Sequence, residues 1–203
     1  VSLGRVEQLA GRGLVFVDGD IRDRALLDNL FAEHQVKAVL HFAGLKAVGE
    51  SVDHPLRYYD NNLGGSITLC QAMAAAGVFT LVFSSSATVY GDPVTVPISE
   101  VQQVGNTSNP YGRSKWMVEQ VLADYDRAYG FKSVCLRYFN AAGADPEGQL
   151  GERHDPETHL IPLVLQVASG RRPNIHVFGH DYDTPDGTCI RDYIHISDLC
   201  SAH

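Results

Sequence analysis

Tyr111-Gly112-Arg113-Ser114-Lys115 sets a phenol and an ammonium four residues apart. On a helix those two side chains share one face. A neighbouring cation stabilises a phenolate, so a tyrosine placed this way is suited to act as a general base near neutral pH. A solvated helix face would show the same spacing, and the pair gains meaning only from what stands near it. Upstream, Ser84-Ser85-Ser86-Ala87-Thr88-Val89-Tyr90-Gly91 follows an apolar run directly. A row of hydroxyls at the end of a buried strand is costly unless hydrogen-bonded, and it is well placed to grip a ligand hydroxyl such as a sugar's. A serine-rich turn bonding to its own backbone is the alternative.

Four further pieces have the same character. In His41-Phe42-Ala43-Gly44-Leu45-Lys46, small residues after an apolar run let a flat cofactor approach the backbone. Tyr58-Tyr59-Asp60-Asn61-Asn62 places two adjacent asparagines inside a helical pattern, where they are poor formers, which points to a buried polar role. Leu136-Arg137-Tyr138-Phe139-Asn140 closes a fourth apolar run, and Gly187-Thr188-Cys189-Ile190-Arg191-Asp192-Tyr193-Ile194-His195 lies near the C-terminal end. Nine histidines raise the question of a metal. His154, Asp155, Glu157 and His159 cluster, but Pro156 interrupts them and no H-E-x-x-H spacing occurs, so no metal site is expected. Residues 181–186 lack the ligand order of a calcium loop. His41 and His195, in apolar surroundings, are expected to be satisfied core histidines.

These pieces need a scaffold. Apolar runs 14–17, 38–42, 80–83 and 133–139 read as buried strands. Between them, helices are expected over 25–34 after an Asp23 cap, over 55–76 up to Gly77, and over 111–129 up to Gly130. This alternation implies a parallel, doubly wound α/β sheet of Rossmann-like type. The rhythm breaks after Asn140; a helix over 160–170, a short strand over 176–179 and a turn-rich loop over 181–187 follow. Ligands of such sheets sit beyond the carboxyl ends of the strands, so chemistry is expected in the loops after Phe42, Phe83 and Phe139.

The apolar fraction of 44% and charged fraction of 20% are those of a soluble globular protein. A net charge of −8 without a basic run argues against a nucleic-acid surface. Cys70, Cys135, Cys189 and Cys200 are scattered, suiting reduced thiols in a cytoplasmic protein. No apolar run approaches the roughly 20 residues of a membrane helix. The chain opens on Val1-Ser2-Leu3-Gly4 and closes as a helical pattern starts at Asp198, so it is expected to be part of a longer protein.

At these six pieces together the chain resembles the UDP-galactose 4-epimerases of the extended short-chain dehydrogenase/reductase family. Segments 41–51 and 83–92 carry the match most densely, and the similarity extends from Gly19-Asp20-Ile21-Arg22 to the C-terminal end. The resemblance implies an isomerase that interconverts UDP-galactose and UDP-glucose through a 4-keto sugar, with NAD as a retained cofactor. Tyr111 would take the proton of the sugar 4-hydroxyl while hydride passes from C4. Lys115 would bind the nicotinamide ribose and depress the Tyr111 pKa. Ser86 would bond the reacting oxygen, with Thr88 nearby. Asp20 and Ile21 would touch the adenine side; Phe42, Ala43, Gly44, Lys46, Asn61 and Ser84 would line the cofactor, and Tyr138 would pack near the nicotinamide. Lys46, Ser86, Tyr111, Asn140, Phe178 and Arg191 would face the UDP-sugar, Arg191 as a phosphate fork.

The resemblance also implies a partial NAD-binding domain over 1–139, a partial UDP-sugar region over 140–203, and a homodimer through the helices of 55–76 and 111–129. Leu69, Met73, Met117 and Val121 could serve that contact or the core. Related 4,6-dehydratases carry an Asp-Glu pair where this chain has Ala87-Thr88, which favours epimerisation, since dehydration needs an added acid and base. The glycine fingerprint for the pyrophosphate does not occur, because Gly11-Arg12-Gly13 has neither the spacing nor a preceding strand. The contact of His159 stays open. The competing readings are an epimerase or decarboxylase for another UDP-sugar, such as UDP-glucuronate or UDP-xylose, and a non-catalytic NAD-sensing module. The module would be expected to have lost Tyr111, Lys115 or Ser86.

Overall fold

A computed structural model describes residues 2–203. Helix α1 (Ser2–Ala10) precedes an extended stretch, and α2 (Arg24–Glu33) starts where the Asp23 carboxylate accepts the Leu26 N–H at 3.0 Å. That cap satisfies one of the free donors of the first turn. Strand β1 (Val39–His41) leads into α3 (Val48–Asp53), α4 (Pro55–Tyr58), a π-helical turn (Tyr59–Gly64) and α5 (Gly65–Ala75). Strand β2 (Thr80–Ser84), a 3₁₀ turn (Ala87–Tyr90) and the long helix α6 (Pro110–Tyr129) follow. Asn109 caps α6 by accepting the Gly112 N–H at 2.8 Å, and Gly130 ends it with φ +70, a left-handed stop that glycine adopts without strain. The rest comprises β3 (Lys132–Leu136), β4 (Asn140–Ala142), α7 (Leu160–Ala168), β5 (Tyr193–His195) and α8 (Ile196–Ala202).

Strands β1, β2 and β3 form one parallel sheet in that order, and β4 pairs with β5 in a second, also parallel. This is the expected Rossmann-like arrangement of parallel sheet and helices. The register puts Val39, Leu81 and Ser133, and then His41, Phe83 and Cys135, on one face. Leu81 and Phe83 on that face join Leu27 of α2, Leu69 and Met73 of α5, and Val118 and Leu122 of α6 in the main core. The opposite row, Leu40, Val82 and Val134, stays more open, with Leu40 and Val134 about half exposed. Leu69 and Met73, which could have faced a partner, are therefore core residues.

Several expectations fail for identifiable reasons. Residues 14–17 form no strand: among the described residues no ladder partner lies beside them, and Val15 and Phe16 are exposed. A strand without a partner leaves its backbone donors to other acceptors, and Leu14 N–H bonds the Glu7 carboxylate instead. Residues 176–179 likewise stay irregular, with Val177 and Phe178 exposed. The helix expected over 55–76 carries the π turn, which absorbs an extra residue where Asn61 and Asn62 stand. Strand β3 stops at Leu136, freeing 137–139 from the ladder. His195 is exposed, not core; its Nδ1 accepts the Ser197 N–H at 3.2 Å as the cap of α8.

His41 is the buried histidine the sequence implied, bonded to Ser66 Oγ at 2.8 Å and tilted against Phe83. Burial, aided by the Lys115 charge, lowers its pKa from 6.5 to about 4. The unfolded chain therefore takes up this proton first as pH falls through 6.5. Stability is lost from there down to about pH 4, below which both states are protonated. In the full-length protein the difference in unfolding free energy between wild type and His41→Gln should shrink by roughly 3 kcal/mol between pH 7 and pH 4 in urea melts. A pH-independent difference would show that the folded protein protonates His41 freely.

Candidate active site

Helix α6 docks on the carboxyl end of β2 through one buried cation. Lys115 is 5% exposed, and its Nζ donates to the Ser84 carbonyl at 2.7 Å while lying 4.8 Å from the Phe83 ring centre. Its Nζ is 5.9 Å from the centre of the Tyr111 ring one turn back, so the predicted shared face is real. Burial lowers the Lys115 pKa to about 8. Tyr111 departs from expectation: its pKa lies above the usual value of 10 because burial disfavours the phenolate, with the Ser86 hydroxyl pulling the other way. Desolvation, not the lysine, sets the direction.

The serine row is held in a fixed state. Ser86 caps the 3₁₀ turn, and its Oγ accepts both the Thr88 N–H, at 3.2 Å, and the Thr88 hydroxyl, at 2.9 Å. A hydroxyl has two acceptor sites and one donor. With both acceptor sites filled by Thr88, the Ser86 O–H is left to donate towards Tyr111. Helix α6 approaches this turn so closely that a Cβ at Gly112 would lie 3.0 Å from the Thr88 carbonyl oxygen. Tyr138, just past β3, touches Ser84 Oγ through its hydroxyl, and its carbonyl accepts the Ala87 N–H at 3.1 Å.

The loop after β1 is tied to the same helix. Asn62, 3% exposed, accepts the Leu45 N–H at 2.8 Å and donates to the Leu45 carbonyl at 3.0 Å and to Ser114 Oγ at 3.1 Å. Ser114 in turn donates to the Tyr111 carbonyl at 2.7 Å. Asn61 donates to the Asn62 side chain at 2.9 Å. Adjacent asparagines signalled a polar role but not which one was the anchor; the π turn decides it by aiming Asn62 inward. Phe42, Ala43, Gly44 and Lys46 line the open side of this loop. Sequence reasoning placed Asn61, not Asn62, at the cofactor, and it missed Ser114 and Glu119.

The other candidates lie further out. The Asp20 carboxylate is taken up by the Arg22 side chain and N–H, which hold its pKa near 2, and Arg22 also reaches Asp60. Ile21 packs so near Gly65 that a Cβ there would meet its side chain at 2.5 Å. Lys46 Nζ is 3.8 Å from a Glu152 oxygen. Asn140 donates to the Asp192 carbonyl at 2.9 Å, and pairing of Asn140 with Tyr193 brings it within two residues of Arg191 in the second sheet. Phe178 is 95% exposed, with the His176 ring centre 6.3 Å from its own. The structure does bring His154, Glu157 and His159 together, with donors within 4.8 Å of one another, despite Pro156. Glu157 Oε1 there already accepts the Thr158 N–H, the His159 N–H and a bond with the His159 ring, an arrangement that locks a turn.

No helix among the described residues is long and apolar enough to cross a membrane. Residues 3–203 match the family model described as the NAD dependent epimerase/dehydratase family. The chain is 53% identical to a UDP-glucose 4-epimerase of Neisseria meningitidis serogroup A over 203 residues, covering 99% of this chain and 60% of that protein. It is 57% identical to one of Rhizobium leguminosarum bv. trifolii over 187 residues, covering 92% of this chain and 57% of that protein. The crystal structure of UDP-glucose 4-epimerase from Bifidobacterium longum in complex with NAD+ and UDP superposes with a TM-score of 0.93 at 50% identity, covering 99% of this chain and 61% of that one. The chain thus spans about three-fifths of the length of the relatives it matches.

The Gly112 contact makes the helix-to-turn distance testable. Its neighbours at 3.0–3.2 Å are the Thr88 carbonyl oxygen, Cβ and hydroxyl, most of which cannot swing aside. Gly112→Ala should cost about 1–3 kcal/mol of stability in chemical denaturation, the range for overpacking. An unchanged midpoint would show that the serine turn yields without cost.

Proposed function

Because the chain belongs to the NAD dependent epimerase/dehydratase family, we propose that the protein interconverts UDP-galactose and UDP-glucose by epimerising the sugar at C4. The observation that carries this reading is the buried Tyr111–Lys115 pair facing Ser86, with no carboxylic acid at positions 87 and 88. Ala87 is apolar and buried, and the Thr88 hydroxyl is committed to Ser86. A dehydration needs such an additional acid and base; moving one proton on and off the 4-hydroxyl does not.

The residues present fit the nicotinamide end of NAD. Lys115 Nζ has three N–H groups and spends one on Ser84, so the others remain for a ribose hydroxyl. Gly44 leaves room beside them: a Cβ there would stand 3.6 Å from Lys115 Nζ and 3.3 Å from Asn62 Oδ1. Bound NAD+ would supply a two-electron acceptor for hydride from the sugar, together with a positive charge. Burial favours the protonated form of Tyr111, and the positive charge of bound NAD+ would favour the phenolate. The Tyr111 oxygen then takes the 4-hydroxyl proton and later returns it. Ser86, its lone pairs filled by Thr88, donates to the reacting oxygen. Phe42, Ala43, Lys46, Asn61, Ser84 and Tyr138 line the cofactor side, with Asp20 and Ile21 towards the adenine. Lys46, Asn140, Phe178 and Arg191 serve the uridine diphosphate.

On this reading residues 1–139 belong to the cofactor-binding part and 140–203 to the UDP-sugar part of a cytoplasmic protein. The same reading makes it a homodimer through the outer faces of α4–α5 and α6, where Leu56 and Met117 remain exposed.

The full-length protein should convert UDP-galactose to UDP-glucose without added cofactor. Tyr111→Phe should lower kcat about 10²–10⁴-fold, the usual worth of a positioned proton donor and acceptor, while bound NAD stays at the wild-type level. No conversion with NAD bound would move the assignment to another UDP-sugar. No conversion and no NAD would favour a non-catalytic module.

A further inference from the structure

Resting on the epimerase reading, we infer that Glu119 is a positioning residue: two turns beyond Tyr111 on α6, it clamps the two strand ends that carry Ser86 and Tyr138. Tyr111, Lys115 and Glu119 are spaced by four and so form one stripe along the helix. The first two face the site. Glu119, with its side chain only 5% exposed, faces beneath it.

Three elements converge there. Arg137 grips Glu119 with both ends of its guanidinium, Nε to the two carboxylate oxygens at 3.0 and 3.1 Å and an Nη to Oε2 at 2.6 Å. Ser85 Oγ donates to the same carboxylate. The remaining Nη of Arg137 donates to the Tyr90 hydroxyl at 3.2 Å, and the guanidinium lies 5.2 Å over that ring. Side chains alternate along an extended segment. Ser84 and Ser86 are presented to the cofactor side while Ser85, between them, is presented to Glu119. Arg137 is drawn to Glu119 while Tyr138, next to it, reaches Ser84. Ser85 and Tyr90 flank the 3₁₀ turn that Ser86 caps, so the clamp holds that turn at both ends.

Energetics favour positioning over stability as its purpose. A buried ion pair can often be replaced by apolar groups of similar volume with little loss of stability, whereas removing one partner strands a charge. What the apolar pair cannot reproduce is the fixed reach of a bidentate guanidinium and a hydroxyl bond onto the turn.

The double variant Glu119→Leu/Arg137→Met, made in the full-length protein, keeps the volume and strands no charge. Its melting temperature should stay within a few degrees of wild type, while kcat per NAD-loaded site falls about 10–100-fold and KM for UDP-galactose changes less than threefold. Ser85→Ala, which leaves the ion pair whole, should lower kcat several-fold. The crystal structure of the double variant should show residues 85–90 displaced relative to Tyr111. A kcat within twofold of wild type, or an undisplaced turn, would overturn the proposal. If the wild-type protein does not act on UDP-galactose, the epimerase reading fails, and the position of the turn in the variant crystal still decides the role of Glu119.

Discussion

One buried cation organises this structure. The Lys115 ammonium sits almost wholly out of water with a single hydrogen bond, to the Ser84 carbonyl. A charge in that position is costly unless surrounding groups compensate, and the Phe83 ring face supplies part of the compensation. The contact fixes the angle and depth at which α6 meets the end of β2. Tyr111, Gly112, Ser114 and Glu119 all ride on that helix, so each of their contacts inherits its geometry from this one bond. The same charge reaches across to His41 at the end of β1 and adds to the burial that keeps that ring neutral.

Burial acts in opposite directions on the two groups of the motif. It lowers the lysine to about 8 and raises the tyrosine. Both shifts favour the neutral form, as desolvation must for an ammonium and a phenol alike. The motif therefore does not by itself generate a phenolate. It builds a dry place in which one introduced positive charge has a large effect, because Coulomb interactions there are weakly screened. Thr88 contributes by filling the lone pairs of the Ser86 hydroxyl and leaving it as a donor, which favours negative charge on the oxygen it bonds.

Much of this was legible in the residue order. Caps and stops such as Asp23, Gly77 and Gly130 depend on local backbone chemistry, and the helices they bound appear where expected, within a residue or two. The Tyr111–Lys115 face and the serine row follow from helical spacing and from hydroxyls ending an apolar run. What was not legible depends on distant partners. Residues 14–17 have the composition of a strand, but a strand exists only where another lends it hydrogen bonds. Asn62 is indistinguishable from Asn61 until the π turn aims one of them inward. Glu119 looks like an ordinary helix-surface glutamate; its role depends on Ser85 and on Arg137, 34 and 18 residues away. The direction of the Tyr111 shift was missed because spacing reports the lysine, while depth of burial is a property of the whole packing.

The residues around Tyr111 and those around Arg191 are held in different ways. Around Tyr111 nearly every polar atom is buried and paired: Asn62, Ser85, Ser114, Lys115 and Glu119 are each less than 9% exposed. Arg191 and Phe178 are exposed, and Arg191 lies two residues before the β5 strand that pairs with β4. An intermediate that must present both faces of a ring to one acceptor has to turn between the two transfers. A pocket that gripped every hydroxyl would forbid that turn. On the proposed reaction the rigid part would address only the oxygen at the reacting carbon, through one phenol and one hydroxyl, and the rest of the sugar would stay free to turn.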